Sequence, residues 1–347
     1  MGKRTIGLTG VSRFVLDAFK DPTNALESRT ELPEPSFPFV GRNGNARPVE
    51  QEETNERPAK KRKIALLAKE WEHYDASGLV THYTHASQVP ENLQKYFSQR
   101  KRYFSMYDQG CLLDEEGWYS VTPERVADQI AERCRCTTIL DAFCGVGGNA
   151  IAFAKTCERV IALDTSPVRL ALARHNAIIY GVADRIEFIL ADYLSFSQSY
   201  LSLPSHQQSR KIDVVFLSPP WGGPSYLSGS PAEALAATSV KPGDAAQEAP
   251  VPVEAHPEYH LADIQPIHGA ELFALSRRLT PNIAYFLPRN TNLTEISDLV
   301  RVEGADHQGD KTEREEAVEV EEEWMGTKLK ALTCYFGGLV AGQEDMF

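Results

Sequence analysis

The chain has 347 residues, 42% of them hydrophobic, and a net charge of −12, enough for one enzyme-sized domain with appendages. Its apolar runs are strand-length, far short of the roughly 20 residues of a spanning helix, and "MGKRTIGLTGVSRF" lacks the apolar centre of a signal peptide, which argues against a membrane or secreted protein. Six cysteines with no C-x-x-C pair fit neither a zinc site nor a disulfide framework; they read as reduced thiols of the cytosol or nucleus.

Residues 1–88 are rich in Pro, Asn, Glu, Arg and Lys with only short apolar clusters such as "SRFVLDAF", so this arm is expected to stay largely disordered. Its basic cluster, Lys60 to Lys63, has the form of a nuclear localisation signal. The negative net charge speaks against a nucleic-acid partner only if charge is evenly spread. It is not: 302–323 is mostly acidic, whereas "RPAKKRK" at 57–63 and "KYFSQRKRYF" at 95–104 are basic, the second with aromatics between its cations as in single-strand and cap-binding surfaces. A solvated amphipathic helix would look the same.

A helical pattern runs from Pro90 to Arg102, and "SVTPERVADQIAERC" predicts a helix over 123–134 with Thr122 as N-cap and Pro123 at the first turn. Together these define a helical extension over 89–135. From 136 strands and helices alternate: "TTILDAF", a glycine loop, the helix "NAIAFAKTC", the strand "RVIALD", the helix "PVRLALARHNAIIYG", then the strands "IEFILAD" and "DVVFLSPP". Such βαβ crossovers make a parallel sheet. A helix "IHGAELFALSRRL", a strand "NIAYFLPRN", a helix "NLTEISDLVR" and a strand "LKALTCYFGG" complete a Rossmann-like α/β domain over 136–347, a mostly parallel seven-stranded sheet with helices on both faces. Inserts at 227–262 and 302–323 interrupt it, the second ending in a strand at "AVEVEEEW".

Ligands of open α/β sheets lie beyond the carboxyl ends of the strands. The loop "DAFCGVGGNA" carries Phe143, Cys144, Gly145 and Gly147 there, and Gly145, Gly147 and Ala150 match the dinucleotide fingerprint. Asp141, at the strand end, would repel a pyrophosphate but suits an amino-acid ammonium, which favours S-adenosylmethionine. Asp164 ends the next strand, where an acid accepts both hydrogen bonds of a ribose diol, and Asp192 follows the third, placed for an adenine amino group beside Tyr193. Each could instead cap a helix. The fourth strand delivers "SPPW", similar to the loop of methyltransferases that act on exocyclic amines. Its prolines stiffen a turn that aims Ser218 and the Pro219 carbonyl at an N–H, while Trp221, with no bulky sequence neighbour, is left to stack on a base.

"GWYSVTPE", "DAFCGVGGN", "LALARHNA", "FLSPPWGGPSY" and "YFLPRN" occur in that order over about 90–340. In this the chain resembles the catalytic domain of the trimethylguanosine synthase family, the RNA cap guanine-N2 methyltransferases. The resemblance implies a metal-free nuclear enzyme, with the cytoplasm as a second place of work. Its cofactor is S-adenosylmethionine and its substrate the 7-methylguanosine cap of small nuclear and nucleolar RNAs, converted to 2,2,7-trimethylguanosine. It further implies that Lys95, Tyr226 and Arg289 bind the cap triphosphate, that Asn176 lies near the cap base, and that Phe104 and Thr122 close over the cofactor, so that the extension over 89–135 covers the active site; His82-x-x-His85, in the linker, reads as incidental. Ribonucleoprotein core proteins are the partners it suggests, for a monomeric enzyme. Two other readings stay open: a binding module that has lost catalysis, and a methyltransferase of another amine such as adenine N6 or a protein glutamine.

Overall fold

The computed structural model describes residues 66–204, 211–221, 257–300 and 316–340. The basic cluster at 60–63, Tyr226 with most of the insert after it, and the acidic stretch 302–315 lie outside the described residues.

Seven strands form one sheet in the order β3-β2-β1-β4-β5-β7-β6. They are β1 (Thr138–Asp141), β2 (Arg159–Asp164), β3 (Ile186–Leu190), β4 (Val214–Leu217), β5 (Ile283–Pro288), β6 (Val318–Met325) and β7 (Lys328–Phe336). The first five pair in parallel, while β7 runs antiparallel to both β5 and β6. Strand order reverses between β1 and β4, so the crevice open to a ligand lies where Asp141 and Leu217 end their strands. β1 and β4 are buried at every position. Ile139 and Phe216 enter the core on one face, Leu140 and Val215 that on the other, as a sheet covered by helices on both sides requires.

Ahead of the sheet stand α1 (Glu91–Phe97), α2 (Arg100–Tyr103), α3 (Glu115–Ser120) and α4 (Glu124–Arg133). Within it come α5 (Gly148–Thr156), α6 (Pro167–Ile179), α7 (Tyr193–Ser202), α8 (Gly269–Arg277) and α9 (Leu293–Asp298). The sequence sets α6 sharply: the Ser166 hydroxyl caps the Arg169 amide at 3.3 Å and Pro167 fills the first turn.

Four features depart from the sequence reading. Helix α7 was not anticipated between β3 and β4, because "YLSFSQSYLS" has weak helix formers and a weak apolar face; Asp192 supplies its N-cap. Thr122 does not cap α4, whose first residue is preceded by Pro123 without a side-chain cap. Residues 66–88 belong to the folded body rather than the arm: Asp75 Oδ2 accepts the amides of Leu66 and Leu67, and the Ala76 amide donates to His175 Nδ1 on α6 at 3.2 Å. The first insert, likewise, ends before 262, since Tyr259 is buried and bridges to Thr291.

Candidate active site

β1 ends in Asp141, whose carboxylate is fully buried and meets no hydrogen-bond partner in proper geometry. Burial pushes it up to about 7, the Phe143 amide nearby pulling the other way and the Asp164 charge adding to the rise. An ionisable group so placed costs stability unless a cation arrives. The loop after it is tied to β2 by the Cys144 amide to Leu163 O at 2.8 Å and turns back on itself through the Gly147 amide to Cys144 O at 2.9 Å. Gly147 takes φ 90°, and a Cβ there would stand 3.0 Å from that of Ala173, so only glycine lets α5 pack this closely on α6. A Cβ on Gly145 would meet nothing, which marks the open side of the loop.

Asp164 ends β2 and spans the loop. Its Oδ2 accepts from the Gly145 amide at 3.0 Å and its Oδ1 from the Ser166 amide at 2.7 Å, each oxygen keeping a lone pair for a ribose diol. The Ala191 amide donates to Asp164 O at 3.1 Å and so brings the end of β3 alongside. Asp192 caps α7 through Oδ1, at 2.9 Å from the Ser195 amide. Tyr193 beside it is buried, with its hydroxyl 2.6 Å from Ser276 Oγ, so the half-buried Phe143, 5.7 Å from it, is the ring that faces the crevice instead. Cys144 is buried, and its thiol is held well above its ordinary pKa by burial and by Asp141 and Asp164.

The acceptor loop leaves β4 directly above. Ser218 Oγ donates to the Phe143 carbonyl at 3.5 Å, a contact that joins the two loops across the switch point. Pro219 is buried and Pro220 exposed. Trp221 does have a bulky neighbour, contrary to expectation: Phe286 of β5, ring centroids 5.1 Å apart. The indole is half-buried against both cores. Its bracing partner was hidden because it lies 65 residues away in sequence, on a parallel strand.

Three expected site residues are buried side chains with protein partners. Phe104 is 2% exposed, and its ring packs on Tyr180 at the far end of α6. Thr122, 4% exposed, accepts from Asn149 Nδ2 at 3.0 Å on α5. Asn176 has no exposed surface at all. It accepts the Leu112 amide at 2.8 Å and donates to Leu112 O at 2.9 Å and Val146 O at 3.0 Å. Asn176 thereby ties the extension and the glycine loop to α6. Asn176→Ala leaves three buried backbone groups unsatisfied and is expected to cost about 3 kcal/mol, measured by denaturant unfolding. The neighbouring His175 works similarly, accepting from Ala76 and donating to Gly110 O at 3.0 Å, with burial holding its pKa below the ordinary value. His82 meets Cys111 O at 3.1 Å and stacks on Tyr107.

Lys95, in the last turn of α1, is exposed with its ammonium 4.9 Å from the Tyr96 ring centroid. Arg289 follows β5 and donates to Leu329 O at 3.4 Å. One further group was missed, an ion-pair buttress in which Arg169 at the start of α6 meets Asp114 at 3.1 Å and also Glu116 of α3.

The donor set suits S-adenosylmethionine better than a dinucleotide. Asp141 would answer its ammonium, Asp164 its ribose, and the start of α5 its carboxylate, whereas two carboxylates around the glycine loop would oppose a pyrophosphate. Comparison with known proteins agrees. The family model described as RNA cap guanine-N2 methyltransferase matches residues 136–232 and 254–339. The chain is 39% identical over 214 residues to trimethylguanosine synthase of Schizosaccharomyces pombe, covering 60% of this chain and 76% of that one. Against the Saccharomyces cerevisiae trimethylguanosine synthase it is 35% identical over 217 residues, 60% of this chain and 58% of that one. Among solved structures, a putative methyltransferase from Porphyromonas gingivalis W83 aligns at 11% identity over 75% of this chain and 56% of that one, with a TM-score of 0.44. With orphaned Asp141, bridging Asp164 and the Ser218 loop at one switch point, the chain belongs to the RNA cap guanine-N2 methyltransferase family.

Proposed function

We propose that the chain transfers methyl groups from S-adenosylmethionine to the exocyclic N2 of a 7-methylguanosine RNA cap, twice in succession, giving 2,2,7-trimethylguanosine. The observation that carries this is the Ser218–Phe143 contact, which sets an amine-orienting loop over the cofactor loop. S-adenosylmethionine supplies an electrophilic methyl on a sulfonium. Ser218 Oγ, by donating to Phe143 O, keeps its lone pairs turned outward, and with the Pro219 carbonyl it accepts the N–H bonds of the incoming amine. This fixes the nitrogen lone pair in line with the methyl carbon, so positioning supplies most of the rate. Asp141 and Asp164 hold the other end. No strong base is needed, because the proton leaves to solvent after the new C–N bond forms.

Trp221 selects the base. Methylation at N7 makes the purine cationic, and a cation on an indole face gains roughly 0.5 to 2 kcal/mol over a neutral ring. Lys95 and Arg289 take the triphosphate, Arg289 with a planar fork suited to phosphate, and Tyr226 joins them. The basic cluster from Lys60 to Lys63 supports a nuclear place of work, on small nuclear and nucleolar RNAs and beside ribonucleoprotein core proteins, as a monomer, with the cytoplasm as a second location. Mass analysis of a cap dinucleotide after incubation with cofactor tests the reading. A gain of two methyl groups is expected. A product with none would point to a silent cap-binding module, and one methyl alone would refute the second transfer.

A further inference from the structure

The sheet edge that carries the catalytic loops continues past β5. Because β7 runs antiparallel to β5, the β6–β7 turn, with Gly326 at φ 62°, emerges at the same edge as Asp141 and the end of β4. Lys328 and Lys330 open β7 and both are exposed; Lys330 is the extra residue of a bulge, since Glu323 pairs with Ala331 and Trp324 with Leu329. Arg289 reaches Leu329 O between them. Partial burial, and then the charges of Lys328, Arg289, Lys95 and Arg102, hold the Lys330 ammonium below its ordinary pKa, so the two cations of the helical extension act on the same spot. Among the described residues none of these five cations forms an ion pair, although their neighbours Arg100 and Lys101 both meet Asp108. Five mutually repelling cations in a chain of net charge −12 are offset only when an anion lies among them.

A second observation narrows the anion. Trp324, opposite Leu329 in the hairpin, is 51% exposed. The register shift between Glu323 and Trp324 turns it, and its Nε1 donates to Glu322 Oε2 at 3.0 Å, which holds the ring in place. A tethered, exposed indole beside a run of cations is the combination by which single-stranded nucleic acid is held: stacking for a base, charge for the backbone.

We propose that the β6–β7 hairpin tip is an RNA-binding surface, in which Arg102, Lys328 and Lys330 take the phosphates of the nucleotides that follow the cap and Trp324 stacks one of their bases. The proposal rests on the cap-methyltransferase reading, which gives Lys95 and Arg289 to the triphosphate; the hairpin prolongs the path from them.

The test compares the parent chain with K328A/K330A and W324A on three probes: a 7-methylguanosine cap dinucleotide, a capped single-stranded oligoribonucleotide of about ten nucleotides, and the same oligonucleotide uncapped. Turnover of the dinucleotide is expected to stay within about twofold of the parent, which also shows that the variants fold. KM for the capped oligonucleotide should rise about tenfold in the lysine variant and about fivefold or more in W324A. The slope of log affinity against log salt should flatten by about 1.4 when two phosphate contacts are lost, and binding of the uncapped oligonucleotide, read by fluorescence anisotropy, should weaken in parallel. Unchanged oligonucleotide KM and binding would overturn the proposal, and so would an equal loss on the dinucleotide. If the parent methylates no dinucleotide, the functional reading fails by itself, and anisotropy with uncapped RNA still decides the hairpin.

Discussion

Trp221→Ala is expected to lower kcat/KM for a cap dinucleotide by about a hundredfold or more while leaving the dissociation constant of S-adenosylmethionine unchanged. The reasoning is local. Removing the indole removes a base stack of about 1–3 kcal/mol and with it the added attraction for a cationic purine, and each 1.4 kcal/mol is a factor of ten in rate. The cofactor contacts lie on other strands and should not move. Phe286, 5.1 Å from the indole, would lose its partner, so a modest fall in stability is also expected; Trp221→Phe restores that packing and a neutral stack, and should recover part of the turnover. Kinetics on the two variants, with calorimetric titration of the cofactor, separate loss of stacking from loss of fold.

The second large effect belongs to Asp141. Its folded-state pKa of about 7 lies above the ordinary value of 3.8. Between those values the folded chain keeps a proton that the unfolded chain has released, so stability of the ligand-free protein falls as pH rises through this window and levels off above about 7. The whole drop is of the order of 4 kcal/mol. Asp141→Asn should abolish this contribution and stabilise the ligand-free protein at pH 8, since it replaces a buried charge with a neutral isostere. The same change should weaken S-adenosylmethionine by about a hundredfold or more, because the ammonium loses its counter-charge. In the parent, cofactor affinity should increase as pH rises towards about 7, where the carboxylate ionises without ligand. Denaturant unfolding from pH 5 to 8, with and without cofactor, reads both signs. A variant less stable than the parent at pH 8, with cofactor affinity intact, would show that Asp141 is a structural acid.

These two residues were legible in the sequence for related reasons: Asp141 ends a strand of a βαβ pattern and Trp221 sits in the loop that follows another, and that pattern places both on one edge. Strand order follows from short right-handed crossovers, and the glycines and prolines mark where the backbone must turn. What sequence patterns could not supply was direction. Asn176 and Thr122 sit in words typical of the family and Phe104 in the basic stretch before them, yet each side chain is buried, and only the hydrogen bonds of Asn176 to Leu112 and Val146 reveal a clamp. Helix α7 escaped because its serine-rich segment owes its helicity to the Asp192 cap and to packing against α8, which local propensity does not carry. Residues 66–88 read as arm because their apolar side chains are sparse, but His175 anchors them from a distance of 99 positions. Lys328 and Lys330 were invisible as a site since their companions come from α1, α2 and β5.

The most direct measurement is a side-by-side labelling reaction. The chain is incubated with methyl-labelled S-adenosylmethionine and, in separate tubes at equal concentration, a 7-methylguanosine cap dinucleotide or its unmethylated guanosine counterpart. If a positively charged purine is held on the indole of Trp221 with its exocyclic nitrogen facing the sulfonium, label enters the 7-methylated compound and the unmethylated one stays near background. Equal incorporation into both would contradict the account at its centre.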